Sequence, residues 1–134
     1  MKFFVIQDHK ILTDFYKKCK MEITEDWVLT MNPVKSIALI KEDKILGCAT
    51  ISKRFNKTIL DYIGVDEALR GSGLGKKILQ EILKDENEVY LTAKNYGFFK
   101  SQGFIGTEDN DLIKECLTCE QYNKSCFPRV MKRS

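Results

Sequence analysis

Three glycines fall within five residues at Gly71-Ser72-Gly73-Leu74-Gly75, directly after Arg70. An apolar stretch from Ile63 leads into them. An amphipathic pattern follows, with Leu74, Ile78 and Ile82 four apart and Gly75, Leu79 and Leu83 likewise. A strand that turns through glycines into a helix is a place to hold an anion. Glycine lets the backbone come close to a ligand. The first helical turn then offers unpaired N–H groups at the positive end of the helix dipole. The chemistry this predicts is phosphate binding through main-chain amides.

Two other phosphate-binding patterns do not fit these residues. A P-loop runs G-x-x-x-x-G-K-[ST]; Gly71 to Gly75 is one residue short, and Lys77 stands where Ser or Thr should meet magnesium. A dinucleotide fingerprint needs G-x-G-x-x-G, and the third glycine here is misplaced. A plain tight turn would also use three glycines, so the rest of the chain has to decide.

The elements around the turn follow from periodicity. Phe3 to Ile6 reads as a strand. His9 to Lys20 places Ile11, Leu12, Phe15, Tyr16 and Cys19 at helical spacing. Glu22 to Pro33 reads as a loop or short helix. Lys35 to Lys41 and Lys44 to Lys53 are apolar strands with Glu42-Asp43 as the hairpin turn, and Lys57 to Val65 is a third strand after Arg54-Phe55-Asn56. After the helix that starts near Leu74 come a strand at Glu88 to Thr92, a short helix at Asn95 to Ser101 and a strand at Phe104 to Thr107. Antiparallel strands in the middle with helices interspersed predict an α+β fold, a mixed and mostly antiparallel sheet flanked by helices. No linker, repeat or low-complexity tract divides residues 1–134, so one domain is expected, with a cysteine-containing end segment at 108–134.

The spacing Arg70-x-x-Gly73-x-Gly75 resembles the acetyl-CoA signature of the GCN5-related N-acetyltransferase (GNAT) family. A second stretch resembles it too: Phe98-Phe99, three residues, then Gly103-Phe104. The element order also matches that family over about 100 residues. In feel the chain is similar to short amino-acid acetyltransferases of the N-acetylglutamate synthase type. The resemblance implies an enzyme that lets an amine attack the thioester of acetyl-CoA directly, with the acetyl donor as cosubstrate.

The same resemblance implies roles for particular residues. Arg70, Gly71, Ser72, Gly73, Leu74 and Gly75 would take the CoA phosphates, with Lys76 or Arg70 adding charge. Ile63 and Val65 would offer backbone groups to the pantetheine arm, and an amide near Val65 would meet the thioester oxygen. Asp61 would be the base, directly or through water; the plainer reading is a carboxylate facing solvent on a half-buried strand. Members of this family often carry Tyr at the position of Phe99, where it protonates the leaving thiolate. Phe99 has no proton to give, so Tyr96, one turn earlier, is the substitute candidate.

The chain ends in Cys116-x2-Cys119-x6-Cys126-x-Pro128-x2-Met131. Cys-x-x-Cys can supply two zinc ligands, with Cys126 a third. A fourth would have to come from His9, Cys19 or Cys48, so no metal is expected. Reduced thiols followed by a closing strand at Phe127 to Lys132 is the simpler reading, and a reversible Cys116–Cys119 disulfide is another. His9 reads as a surface residue, and Trp27 and Phe55 as packing or as walls of an acceptor pocket.

Composition bounds the function. A net charge of +3 with dispersed Lys and Arg is too small to mark a nucleic-acid binder. No apolar run approaches the ~18 residues of a membrane span. The start, Met1 to Gln7, lacks the length and cleavage site of a signal peptide. Five cysteines without a mark of export fit a reducing cytoplasm. The expected partner is a small-molecule amine, with an amino acid as one candidate, acted on by a monomer or homodimer. The competing readings are a non-catalytic acyl-CoA, metal or redox sensor, and a protein acetyltransferase.

Overall fold

Thirteen elements follow one another in the computed structural model, which describes residues 1–117 and 128–134. They are β1 (Lys2–Val5), α1 (His9–Lys18), α2 (Trp27–Met31), β2 (Pro33–Lys41), β3 (Lys44–Arg54), β4 (Lys57–Val65), a 3-10 turn (Glu67–Leu69), α3 (Leu74–Leu83), β5 (Val89–Ala93), α4 (Tyr96–Ser101), β6 (Ile105–Gly106), α5 (Asn110–Leu117) and β7 (Arg129–Arg133). The strands form one mixed sheet in the order β1-β2-β3-β4-β5-β7-β6. All pairings are antiparallel except β4 with β5. The α+β expectation holds.

Local chemistry explains the boundaries. Asp8 caps α1, its carboxylate accepting from the N–H groups of Lys10 and Ile11 at 3.0 and 3.3 Å. Lys17 and Lys18 close the helix, where cations suit the dipole. The turns Glu42-Asp43 and Phe55-Asn56 both have two consecutive positive φ values, the conformation whose twist matches a two-residue hairpin. The crossover from β4 to β5 runs through α3, as a parallel pair requires.

Helices cover both faces of the sheet. On one, Ile78, Leu79, Ile82 and Leu83 of α3 pack on Ile37, Leu39, Ala49, Ile51 and Leu60. On the other, Leu12, Phe15 and Tyr16 of α1 and Trp27 of α2 pack on Ala38, Cys48 and Tyr62. Leu112 of α5 joins Ile59 and Val130 there. Trp27 is core, with its indole N–H donated to Thr13 Oγ1 at 2.8 Å. His9 is exposed, edge-on to Trp27.

Two features of β4 shape everything that follows. The β3–β4 register jumps from Thr50↔Tyr62 to Ile51↔Leu60, leaving Asp61 as an extra residue. This bulge lets Leu60 and Ile63 share one face, with Ile59 and Tyr62 on the other. In addition, the β4–β5 ladder holds a single register pair, Ile59↔Tyr90. Beyond it the two strands part.

The short helix α2 lies inside the Glu22–Pro33 stretch read as loop or helix. Helix α5 reaches Cys116 at the start of the segment read as reduced thiols, the rest of which lies outside the described residues, and β7 agrees with the closing strand of that reading.

Candidate active site

The parted strands open a cleft floored by the glycine turn. Gly71 and Gly73 have φ of +83° and +85°, and a Cβ on either would meet no atom within 4 Å. Their requirement is therefore conformational rather than steric, since the left-handed region costs an L side chain roughly 1–2 kcal/mol. Gly73 is the N-cap of α3, so the helix's first unpaired N–H groups begin at the turn. Ser72 folds its hydroxyl back onto the Leu69 carbonyl. Arg70 donates to the Cys19 carbonyl at 3.4 Å, tying the turn to the end of α1.

A cavity of ≈ 580 Å³ follows this turn along β4. Gly71, Gly73, Leu74, Gly75 and Lys76 line it together with Ile63, Val65, Phe98 and Phe99. Arg70 and Lys76 also line it, and no described carboxylate does. Such a surface suits a polyanion.

The direction of the β4 amides follows from one bond. Asp66 donates its N–H to Leu46 O on the β3 side at 2.8 Å. Successive N–H groups of a strand alternate in direction, so those of Val65 and Ile63 point into the cleft. The thiol of Cys19 lies 3.7 Å from Val65 O. Burial raises the Cys19 pKa, only partly offset by the charge of Arg70, so this sulfur is a neutral wall.

A second cavity of ≈ 530 Å³ lies across the strand, reaching Met31, Arg54, Asp61, Tyr62, Leu112 and Glu115. It shares Met21, Ile63 and Phe99 with the first. The two meet at the point where β4 and β5 separate.

Asp61 lines this second cavity, but not as an open carboxylate. Arg54 donates from Nη1 and Nη2 to its two oxygens at 2.7 and 2.8 Å. Arg54 also donates from Nε and Nη2 to Glu115 at 2.9 Å each, and from Nη1 to Met31 O at 3.0 Å. Five N–H donors thus meet five acceptors. Burial alone would lower the Arg54 pKa, but the bonds to Asp61 and Glu115 outweigh it and hold the group firmly charged. The expectation of Asp61 as the base, or as a solvent-facing carboxylate, meets an obstacle here. Both of its carboxylate oxygens already accept from a guanidinium, so neither is open to an incoming amine without giving up that bond. Next to it, burial and then the Asp61 charge push the Tyr62 hydroxyl up to about 12.

Tyr96 is not among the residues lining either cavity. Its ring lies under the Arg129 guanidinium, 4.7 Å to the centroid, so its position gives the acid role no support. Phe99, at the usual place of that acid, lines both cavities. Phe55 sits exposed in the β3–β4 turn, away from either lining. Arg54, Glu115, Met21 and Tyr62 went unnoticed in the sequence. Arg54 and Glu115 are 61 residues apart, and no local spacing announces such a pair.

Among the described residues no group of His, Cys, Asp and Glu is arranged to hold a metal ion. Cys119 and Cys126 lie outside the described residues, as does the side chain of Cys116. Among the described residues no helix is long and apolar enough to cross a membrane.

Comparison with known proteins agrees with this geometry. A sequence model of the Acetyltransferase (GNAT) family matches residues 4–104. No curated protein matches the chain. Among solved structures, the IAA acetyltransferase from Bacillus cereus is 13% identical, with 98% of this chain and 99% of that one covered and a TM-score of 0.73. A GNAT family acetyltransferase from Elizabethkingia anophelis with acetyl-CoA bound is 17% identical, with 98% and 97% covered and a TM-score of 0.70. N-acetylglutamate synthase from Neisseria gonorrhoeae, complexed with coenzyme A and N-acetyl-glutamate, is 12% identical with a TM-score of 0.72; it covers 99% of this chain, which spans only 35% of that protein. At these identities the structural likeness establishes the fold, and the family match extends over three-quarters of the residues. The chain belongs to the GNAT family of acetyltransferases.

Proposed function

We propose that this protein transfers the acetyl group of acetyl-CoA to the amine of a small molecule by direct attack on the thioester. The observation that carries this reading is the meeting of the two cavities at Ile63, Met21 and Phe99. A cofactor laid along the cleft from the glycine turn would bring its thioester to that junction, and an acceptor would reach it from the other side.

Each residue then has a part. The amides of Gly71 to Gly75, with Arg70, Ser72 and Lys76 around them, take the pyrophosphate. The cleft-facing N–H groups of Ile63 and Val65 hold the pantetheine arm, and the one near the thioester receives its oxygen as negative charge grows. Holding amine and thioester in line supplies most of the rate. The nitrogen lone pair forms the new N–C bond, the C–S bond breaks, and the amine's proton ends on the CoA sulfur or in solvent. With Asp61 engaged by Arg54, water is the carrier of that proton. A thiol titrating near ~8.5 leaves without much help, so Phe99 costs the reaction little.

A small acceptor is favoured over a protein lysine because the cavity beyond the junction, ≈ 530 Å³, has the volume of a small-molecule site. Turnover of acetyl-CoA with free amines and amino acids, compared with lysine peptides, tests this. Peptide acetylation without small-amine activity overturns the preference. Acetyl-CoA binding with no turnover on any amine favours a sensor instead.

A further inference from the structure

The lining of the acceptor cavity selects a class of acceptor, given the acetyltransferase reading above. Met21, Met31, Ile63, Phe99 and Pro128 line it and are each partly open. Lys20, Glu22 and Lys94 line it too, but their side chains are more than half exposed. Lys20 has Glu67 at 3.8 Å and Lys94 has Glu22 at 3.9 Å. Charges so exposed hold a further ion weakly, because water screens them.

The buried charges of the lining are Arg54 and Asp61, with side chains 12% and 9% exposed. Arg54 donates all five of its N–H groups, to Asp61, to Glu115 and to the Met31 carbonyl. An acceptor's carboxylate meets no donor there unless it takes one from Asp61 or Glu115. A second ammonium on the acceptor gains no more. Both Asp61 oxygens already accept from Arg54, and the cations Lys20, Arg54 and Lys94 match the carboxylates Glu22, Asp61 and Glu115. Apolar walls also suit the reaction. Loss of water disfavours an ammonium, and the neutral amine is the nucleophile.

We propose that the acceptor is a small monoamine with an uncharged apolar tail, an alkylamine or arylalkylamine, and that Met21, Met31, Phe99 and their apolar neighbours bind the tail while the nitrogen points to the junction. Met21 and Met31 are unbranched and flexible, so tails of different shape fit. A free amino acid, with its carboxylate beside the amine, is a poor acceptor. The products are the N-substituted acetamide and CoA, with the amine's proton on the sulfur or in solvent.

The test uses the full chain with acetyl-CoA and five acceptors: ethylamine, n-butylamine, n-hexylamine, 2-aminopentanoate and 1,4-diaminobutane. The three alkylamines differ only in tail, and their kcat/KM should rise about fourfold for each methylene buried. 2-Aminopentanoate is n-butylamine with a carboxylate on the carbon that bears the nitrogen; the diamine is n-butylamine with an ammonium at the end of its tail. Each should fall at least about tenfold below n-butylamine, the cost of a charge left without a partner. Met31 lines this cavity and not the cofactor cleft. In Met31→Gln the gain from butyl to hexyl should shrink at unchanged acetyl-CoA affinity, and the wild-type series needs no variant at all. A flat alkylamine series, a preference for either charged acceptor, or an undiminished gain in Met31→Gln overturns the proposal while leaving acetyl transfer standing. No turnover with any amine, despite bound acetyl-CoA, overturns the transferase reading and this proposal with it.

Discussion

Gly73 and Gly75 do different work although both sit in the same turn. At Gly73 the backbone itself is the constraint, because φ is +85° and the space beside it is open. Gly73→Ala should cost roughly 1–2 kcal/mol of stability from strain alone. At Gly75 a Cβ would rest 3.6 Å from Phe98, an ordinary contact. Aspartate at either position puts negative charge where the pyrophosphate belongs, so Gly73→Asp and Gly75→Asp should abolish acetyl-CoA binding by calorimetry. A folded variant that keeps the affinity removes the turn from the cofactor site. Phe99 and Tyr96 give a paired expectation. Phe99→Tyr should change kcat less than about threefold, since a thiol leaves unaided. Tyr96→Phe should also do so, because its ring stacks on Arg129 rather than on the cleft; a large loss in Tyr96→Phe at unchanged acetyl-CoA affinity would make it the acid after all.

Arg54 ties four elements, α2, β3, β4 and α5, through one guanidinium. Arg54→Met would strand Asp61 as an uncompensated, nearly buried charge, which typically costs ~3–5 kcal/mol; urea unfolding should record a loss of that order. At the other end of β4, Asp66 accepts from Ala68 N–H, which together with Lys44 and Lys18 nearby holds its pKa below the ordinary 3.8. A group whose folded pKa is lowered stabilises the fold above its unfolded pKa and loses that contribution as pH falls through the folded value. Asp66→Asn should therefore be less stable than wild type at neutral pH. Thermal melts should show the gap closing as pH drops below the usual carboxylate range; a gap that persists in acid would place the role of Asp66 in its shape rather than its charge. What was legible in advance follows the same division. Strand β4 and the helix after the glycines could be read because their apolar periods and turn residues are local. Helix α5 could not be read because Leu112 and Ile113 are adjacent and show no period of their own, and their partners Ile59 and Tyr90 come from distant strands. The engagement of Asp61 by Arg54, and of Arg54 by Glu115, could not be read in advance, because only tertiary packing brings residues 54, 61 and 115 together.

At the scale of the whole molecule, the two cavities differ in charge and share a joint. Cations and no described carboxylate line the cofactor cleft, charges of both signs line the acceptor cavity, and Met21, Ile63 and Phe99 belong to both. That joint exists because the sheet stops pairing after Ile59 and Tyr90. The same stop gives β4, the central strand of the seven, the character of an edge strand along half its length. Amide protons in the middle of a sheet ordinarily exchange with solvent only on global unfolding, whereas edge amides exchange by small local openings. In the free protein Ile63 and Val65 should lose their protons to deuterium far faster than Gly64, which lies between them and faces β3. Bound acetyl-CoA should slow the outer two and leave Gly64 nearly as it was. An alternating pattern that inverts on cofactor binding would mark the pantetheine arm as a missing strand of the sheet, and equal protection of all three amides in the free protein would mean that the sheet is closed there.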